Sequence, residues 1–179
     1  MGIPENCPLN SSSPTSRTSI DAEALARANI NPVTGLATDY LNHFNEAIML
    51  LDMVATMPDC AEDLLAWRPM SYHEHFAASH FKDRDLAIEA YDIANPAARQ
   101  RLDELADAMN AILQATCEAL TLQLSPEAAG TLAVQAAGWL KPLVARAGAV
   151  INGHHICPVE ETEDEDDVPQ AAIDAMFER

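Results

Sequence analysis

The chain has 179 residues and carries ten Lys and Arg against twenty-eight Asp and Glu, a formal charge of −18. That balance opposes the phosphate neutralisation on which nucleic-acid binding rests and disfavours anionic membrane surfaces, whereas it attracts basic protein surfaces. A hydrophobic content of 49% with slightly negative mean hydropathy is that of a globular chain with one core. Eight of its nine aromatic residues fall between Tyr40 and Trp139, which is where that core is expected. The first fifteen residues show neither the basic nor the apolar stretch of a signal peptide, and Cys7, Cys60, Cys117 and Cys157 are widely scattered. A cytoplasmic protein with reduced thiols is the expectation.

Residues 1–17 are rich in Ser, Pro and Asn and read as a disordered arm. The capping signal Thr18-Ser19-Ile20-Asp21 predicts a short helix over about 19–28, broken at Asn31-Pro32. From Thr34 or Gly35 to Thr56, Leu36, Tyr40, Phe44, Ala47, Ile48, Leu51 and Ala55 recur three and four apart and predict a long helix. Met49, Leu50 and Met53 on its other side suggest that it is covered nearly all round, by its own domain or by a partner. Pro58 and Pro69 bracket a short helix over 59–67, Ser71 caps another carrying Tyr72 and Phe76, and a third spans about 83–94.

Asn95-Pro96 opens a helix to about Gln123 with the stripe Leu102, Leu105, Met109, Ile112, Thr116 and Ala119. Ser125-Pro126 opens the next, with Leu132, Ala136, Trp139, Leu143, Ala147 and Val150 on one face and a kink or split expected at Pro142. No charge occurs between Glu127 and Lys141, and the small residues there mark either a central helix or a partner-binding surface. Glu160–Asp167 holds seven acids in eight residues, contributing −7 and leaving −11 on the rest. Beyond it Ile173, Met176 and Phe177 form an apolar face suited either to docking on a basic, grooved partner or to packing on the chain's own bundle at the end of a solubilising tail. The fold expected is all-α: a single bundle of five to seven helices over 18–153, a disordered N-terminal arm, and an acidic tail over 154–179.

Chemistry is sparse. Asp39, His43 and Glu46 share one side of a helix, and His73, His75 and His80 cluster soon after, so iron or zinc held by His43, Glu46, His75 and His80 is the metalloprotein alternative. His154, His155 and Cys157, with Cys60, could offer N and S ligands, but the plainer readings are a polar helix edge for the first group, a partly exposed histidine edge for the second, and adventitious or no metal binding for the third. No nucleophile elbow, P-loop or dinucleotide fingerprint is present, and none of the histidines has the flanking pattern of a phosphotransfer bundle. A ligand pocket lined by Tyr40, Phe44, Trp67 and Trp139 is a third reading. The leading expectation is a regulator or adaptor with no catalytic residue and no cofactor. It would bind a protein partner, or a second copy of itself, through Leu132, Ala136, Trp139, Ile173, Met176 and Phe177.

Overall fold

The computed structural model describes residues 20–57, 60–122 and 124–154. The expected N-terminal arm, the acidic run and Ile173, Met176 and Phe177 lie outside them, as do Cys7, His155 and Cys157. Among the described residues the chain is all-helical, with one isolated backbone bridge and no strand: α1 (Ala22–Arg27), a 3-10 turn (Thr38–Leu41), α2 (Asn42–Val54), α3 (Ala61–Ala66), α4 (Tyr72–Ala78), α5 (Arg84–Asp92), α6 (Pro96–Leu120) and α7 (Pro126–Ile151). No helix of the described residues is long and apolar enough to cross a membrane.

Local chemistry sets most helix starts. Asn95 Oδ1 accepts from the Ala97 and Ala98 amides at the head of α6, and the Ser125 hydroxyl accepts from the Ala128 amide at the head of α7. At α4, Ser71 and Glu74 bond each other's backbone amides in a reciprocal capping box.

The bundle is assembled around α7. The short connection after α6 folds α7 back along it as an antiparallel hairpin, and α2 packs along another side of α7. Gly130 lies against Ala55 and Gly148 against Leu41, so α2 also runs antiparallel to α7. The helices α3, α4 and α5 close the remaining side over α2, the 3-10 turn and α6, burying Leu64, Tyr72, Phe76 and Ala87.

Three sequence expectations are corrected. The helix expected from Thr34 or Gly35 begins only at Thr38, and as a 3-10 turn. Gly35 has φ +76°, and Ala37 is extended and bridged to Ile30, so residues 31–37 form a tight turn that returns the chain over α1. A side chain at Gly35 would lie 3.0 Å from the Ala90 carbonyl oxygen, which adds a steric reason for glycine. The turn is held to the far end of the chain by Thr34 Oγ1, which donates to the Ile151 carbonyl at 2.7 Å.

The second correction concerns the buried face of α7, which consists of Ala129, Gly130, Ala133, Ala136, Ala137, Leu140, Ala147 and Ile151. Of the expected stripe, Ala136 and Ala147 are buried, Leu132, Leu143 and Val150 are half-buried, and Trp139 is exposed. A helix wedged between two neighbours needs a wide, close-packing face, and the alanines and Gly130 supply it. A Cβ at Gly130 would stand 3.3 Å from the Ala55 carbonyl oxygen, so the approach there is backbone to side-chain-free backbone.

Third, α7 does not split at Pro142 but continues through it. Proline removes the hydrogen bond to the carbonyl four residues back, here that of Gly138. Pro142 and Gly138 are both exposed and Gly138 has open space around it, so water can solvate the freed carbonyl and the helix need not break. The outer side of α2 is also left open, with Met49 56% exposed.

Candidate functional site

Outward from the core, the side of α7 that faces solvent between Glu127 and Lys141 is formed by Ala128, Thr131, Val134, Gln135, Gly138 and Trp139, none of them charged. Trp139 is 53% exposed and Val134 60%, and exposed Leu122 and Leu124 precede the helix. By contrast, the outward side of the neighbouring long helix α6 carries Arg101, Glu104, Asp107 and Glu118. Lys141 ends the uncharged strip, its Nζ 3.1 Å from Asp52 on α2. Of the residues expected to bind a partner, Trp139 is presented to solvent, Leu132 is half-buried beside it and Ala136 is buried in the core. Ala136 is therefore a packing residue, because it lies on the side of α7 turned toward its neighbours. Val134 was missed, since its position on the helix separates it from the predicted stripe.

Two histidines expected to share a metal do come together. His43 is only 4% exposed; its ring stacks on Trp67 with centroids 4.6 Å apart and lies 6.1 Å from the ring of His75. Trp67 Nε1 donates to the His43 carbonyl at 3.3 Å, which fixes the indole in place. His43 Nε2 is buried with no hydrogen-bond partner. Burial, followed by the neighbouring His75, lowers the His43 pKa to about 4 against a contact with the Arg68 backbone, so the ring is neutral at physiological pH. Burial also lowers His75, and Asp39 opposes that.

The rest of the expected ligand set does not join them: Glu46 is on the exposed side of α2, and His80 is exposed beyond the end of α4. Among the described residues, no three His, Cys, Asp or Glu side chains are grouped as a metal ion would require. His73 pairs instead with Asp92 at 2.9 Å. The pocket imagined between Tyr40, Phe44, Trp67 and Trp139 is not formed either, because Phe44 and Trp67 pack on His43 and Tyr40 on Phe44, while Trp139 projects from the outer side of α7.

A cleft of about 390 Å³ opens where α4, α5 and α6 meet. Tyr40, Tyr72 and Tyr91 form its aromatic wall, with Tyr72 and Tyr91 stacked at 4.4 Å. Their hydroxyls are engaged: Tyr40 donates to the Met70 carbonyl, Tyr72 accepts from the Ala37 amide, and Tyr91 is 2.6 Å from Asp103. Opposite stand Glu74, Asp103, Asp107 and Asn110. Burial raises the Tyr40 hydroxyl pKa most, and the carboxylates of Asp103, Asp107 and Glu74 raise it further, so all three act on one point. On α6 the spacing of Asp103, Asp107 and Asn110 was visible as one helical stripe. The facing wall comes from distant segments and left no sequence signal.

Compared with family models, with curated proteins and with solved structures, the chain matches none, so its functional reading rests on these surfaces.

Proposed function

We propose that this chain is a non-enzymatic regulatory or adaptor protein that acts by binding another protein, with the outward side of α7 as its docking surface. The observation that carries this reading is the uncharged strip around Trp139, on a chain whose formal charge is −18. A solvent-facing helix side is normally where charge accumulates, and a half-exposed tryptophan gives a partner an anchor of the kind that dominates interface energetics, with Val134 at the other edge of the same exposed side. The overall charge favours a partner whose surface around its tryptophan-accepting pocket is basic, and the acidic run Glu160–Asp167 adds to that attraction.

The reading is tested by co-purification from the native cell, comparing the full chain, a Trp139→Ser variant and a chain ending at Pro158, with molecular mass measured on each sample. A stoichiometric partner that is weakened about tenfold or more by Trp139→Ser supports it. Loss of the partner only on truncation would move the docking site to the C-terminal segment. A dimer that Trp139→Ser dissociates would identify the occupant of the strip as a second copy. A monomer without a partner in every sample would refute the proposal. The ring is half in solvent, so the variant should keep its fold.

A further inference from the structure

We infer, on the reading of the uncharged side of α7 as a docking surface, that in the free chain this side is covered by the chain's own segment around Ile173, Met176 and Phe177, which a partner must displace. The order of chemistry on either side of His154, the last described residue, carries this. Back from His154 along α7 come Arg146 and Lys141, then exposed Trp139 and Val134. Forward from His154 come the acidic run Glu160–Asp167, then Ile173, Met176 and Phe177. A segment returning along α7 therefore sets acid against base and apolar against apolar.

The exposed side of α7 is the one that suits such a segment electrostatically. Beyond Glu127 the helix has no acid, and its two charges are Lys141 and Arg146. Arg146 is exposed, stands two helical turns from Trp139 on the same edge, and forms no ion pair among the described residues. Lys141 holds the matching place two turns from Val134 on the other edge, where it pairs with Asp52. By contrast, exposed Glu62 and Asp63 on α3, Asp85 and Glu89 on α5, and Glu104 and Asp107 on α6 would repel an acidic run. Between the two edges the surface is dented. One open hollow of about 470 Å³ is bounded by Ala55, Gly130 and Val134, another of about 460 Å³ by Ala128 and Leu132, and they meet at Thr131 and Gln135. Side chains as large as Met176 and Phe177 can seat there.

The length of chain agrees with the distance to be covered. Trp139 and Val134 precede Ile151 by twelve and seventeen residues, about 18 and 26 Å along the helix axis. Ile173 follows His154 by nineteen residues, and a random chain of that length spans roughly 22–26 Å. Matching the reach of a tether to its span maximises the effective concentration of what it carries. A partner with a basic rim competes for the acidic run and for the strip together, so one encounter frees both.

Acrylamide quenching of tryptophan fluorescence in the full chain tests this, comparing the parent with the double variant Met176→Ser/Phe177→Ser, whose changes lie outside the described helices. At an effective concentration of about 1 mM, a segment with a Kd of that order covers the strip about half the time, so quenching of Trp139 should rise about twofold in the variant. Trp67 is the other indole of the chain, and the rise should vanish in a Trp139→Phe background. Arg146→Glu, at an exposed position, should raise quenching in the same direction by less. Equal quenching in the parent and the double variant would overturn the proposal, as would a rise that persists in Trp139→Phe. Protection of the parent that is lost on dilution would also overturn it, by giving the strip to a second copy. No partner is present in these samples, so their failure leaves the strip open to a partner, and a failed co-purification leaves their outcome readable.

Discussion

The two ends of the core are built from different materials. Where α2 and α6 pack on α7, the contact surface is largely alanine and glycine, with Ala133, Ala136, Ala137 and Gly130 letting backbones approach closely. Where α3, α4 and α5 close over α2 and the 3-10 turn, it is aromatic: Tyr40, Phe44, Tyr72, Phe76 and Tyr91 form a chain of ring contacts, with His43 and Trp67 stacked at its edge. The small-residue half gains its stability from proximity and tolerates no added volume. The aromatic half depends on large buried rings and on hydroxyls that find partners, and there the loss of volume or the gain of charge is what harms it.

Three perturbations sharpen that contrast. The largest effect is expected from Phe76→Ala, since Phe76 is fully buried among Tyr72, His75 and Phe81; a loss of about 3–5 kcal/mol should appear as a lowered urea midpoint. Protonation comes next. His43 has a folded pKa of about 4 against an ordinary value of 6.5, so the unfolded chain takes up a proton that the folded one refuses. Its contribution is complete above about pH 6.5, declines as the pH falls through that window, and amounts to a loss of about 3 kcal/mol by pH 4. Urea melts at pH 7 and pH 4.5 should therefore differ more in the parent than in His43→Phe, and an equal difference in both would remove His43 as the cause. The smallest effect is Gly130→Val, whose branched side chain meets the Ala55 backbone; about 1–3 kcal/mol of destabilisation is expected, again read from the urea midpoint. If Gly130→Val were neutral, the packing of α2 on α7 would be looser than the contrast requires.

The same contrast explains what could be read from the amino acids in order. Asn95-Pro96, Ser71 with Glu74, and Ser125-Pro126 announce their helices because capping is a contact between neighbours along the chain. Leu102, Leu105 and Met109 announce the buried face of α6 because that stripe has no competing apolar side. On α7 nearly every residue from Ala128 to Leu140 is small or apolar, so periodicity could not choose between faces, and the apolar face read from it joins buried Ala136 to exposed Trp139. Likewise His43 and His75 meet because α4 folds back beside the 3-10 turn, whereas the Glu46 expected to join them is turned away by the pitch of its own helix. The cleft draws on the 3-10 turn, the approach to α4, α5 and α6, and no local pattern connects those segments.

The hydrogen bond from Thr34 to the Ile151 carbonyl bears on how the domain can be handled. Ile20 and Thr34 line one hollow, and Gly153 lies beside Thr34, so the polypeptide enters and leaves the helical body at one place. Such a body can be inserted into a surface loop of a host protein without prising the host apart, and fluorophores attached near Ile20 and His154 would sit close together when the insert is intact and separate when it unravels.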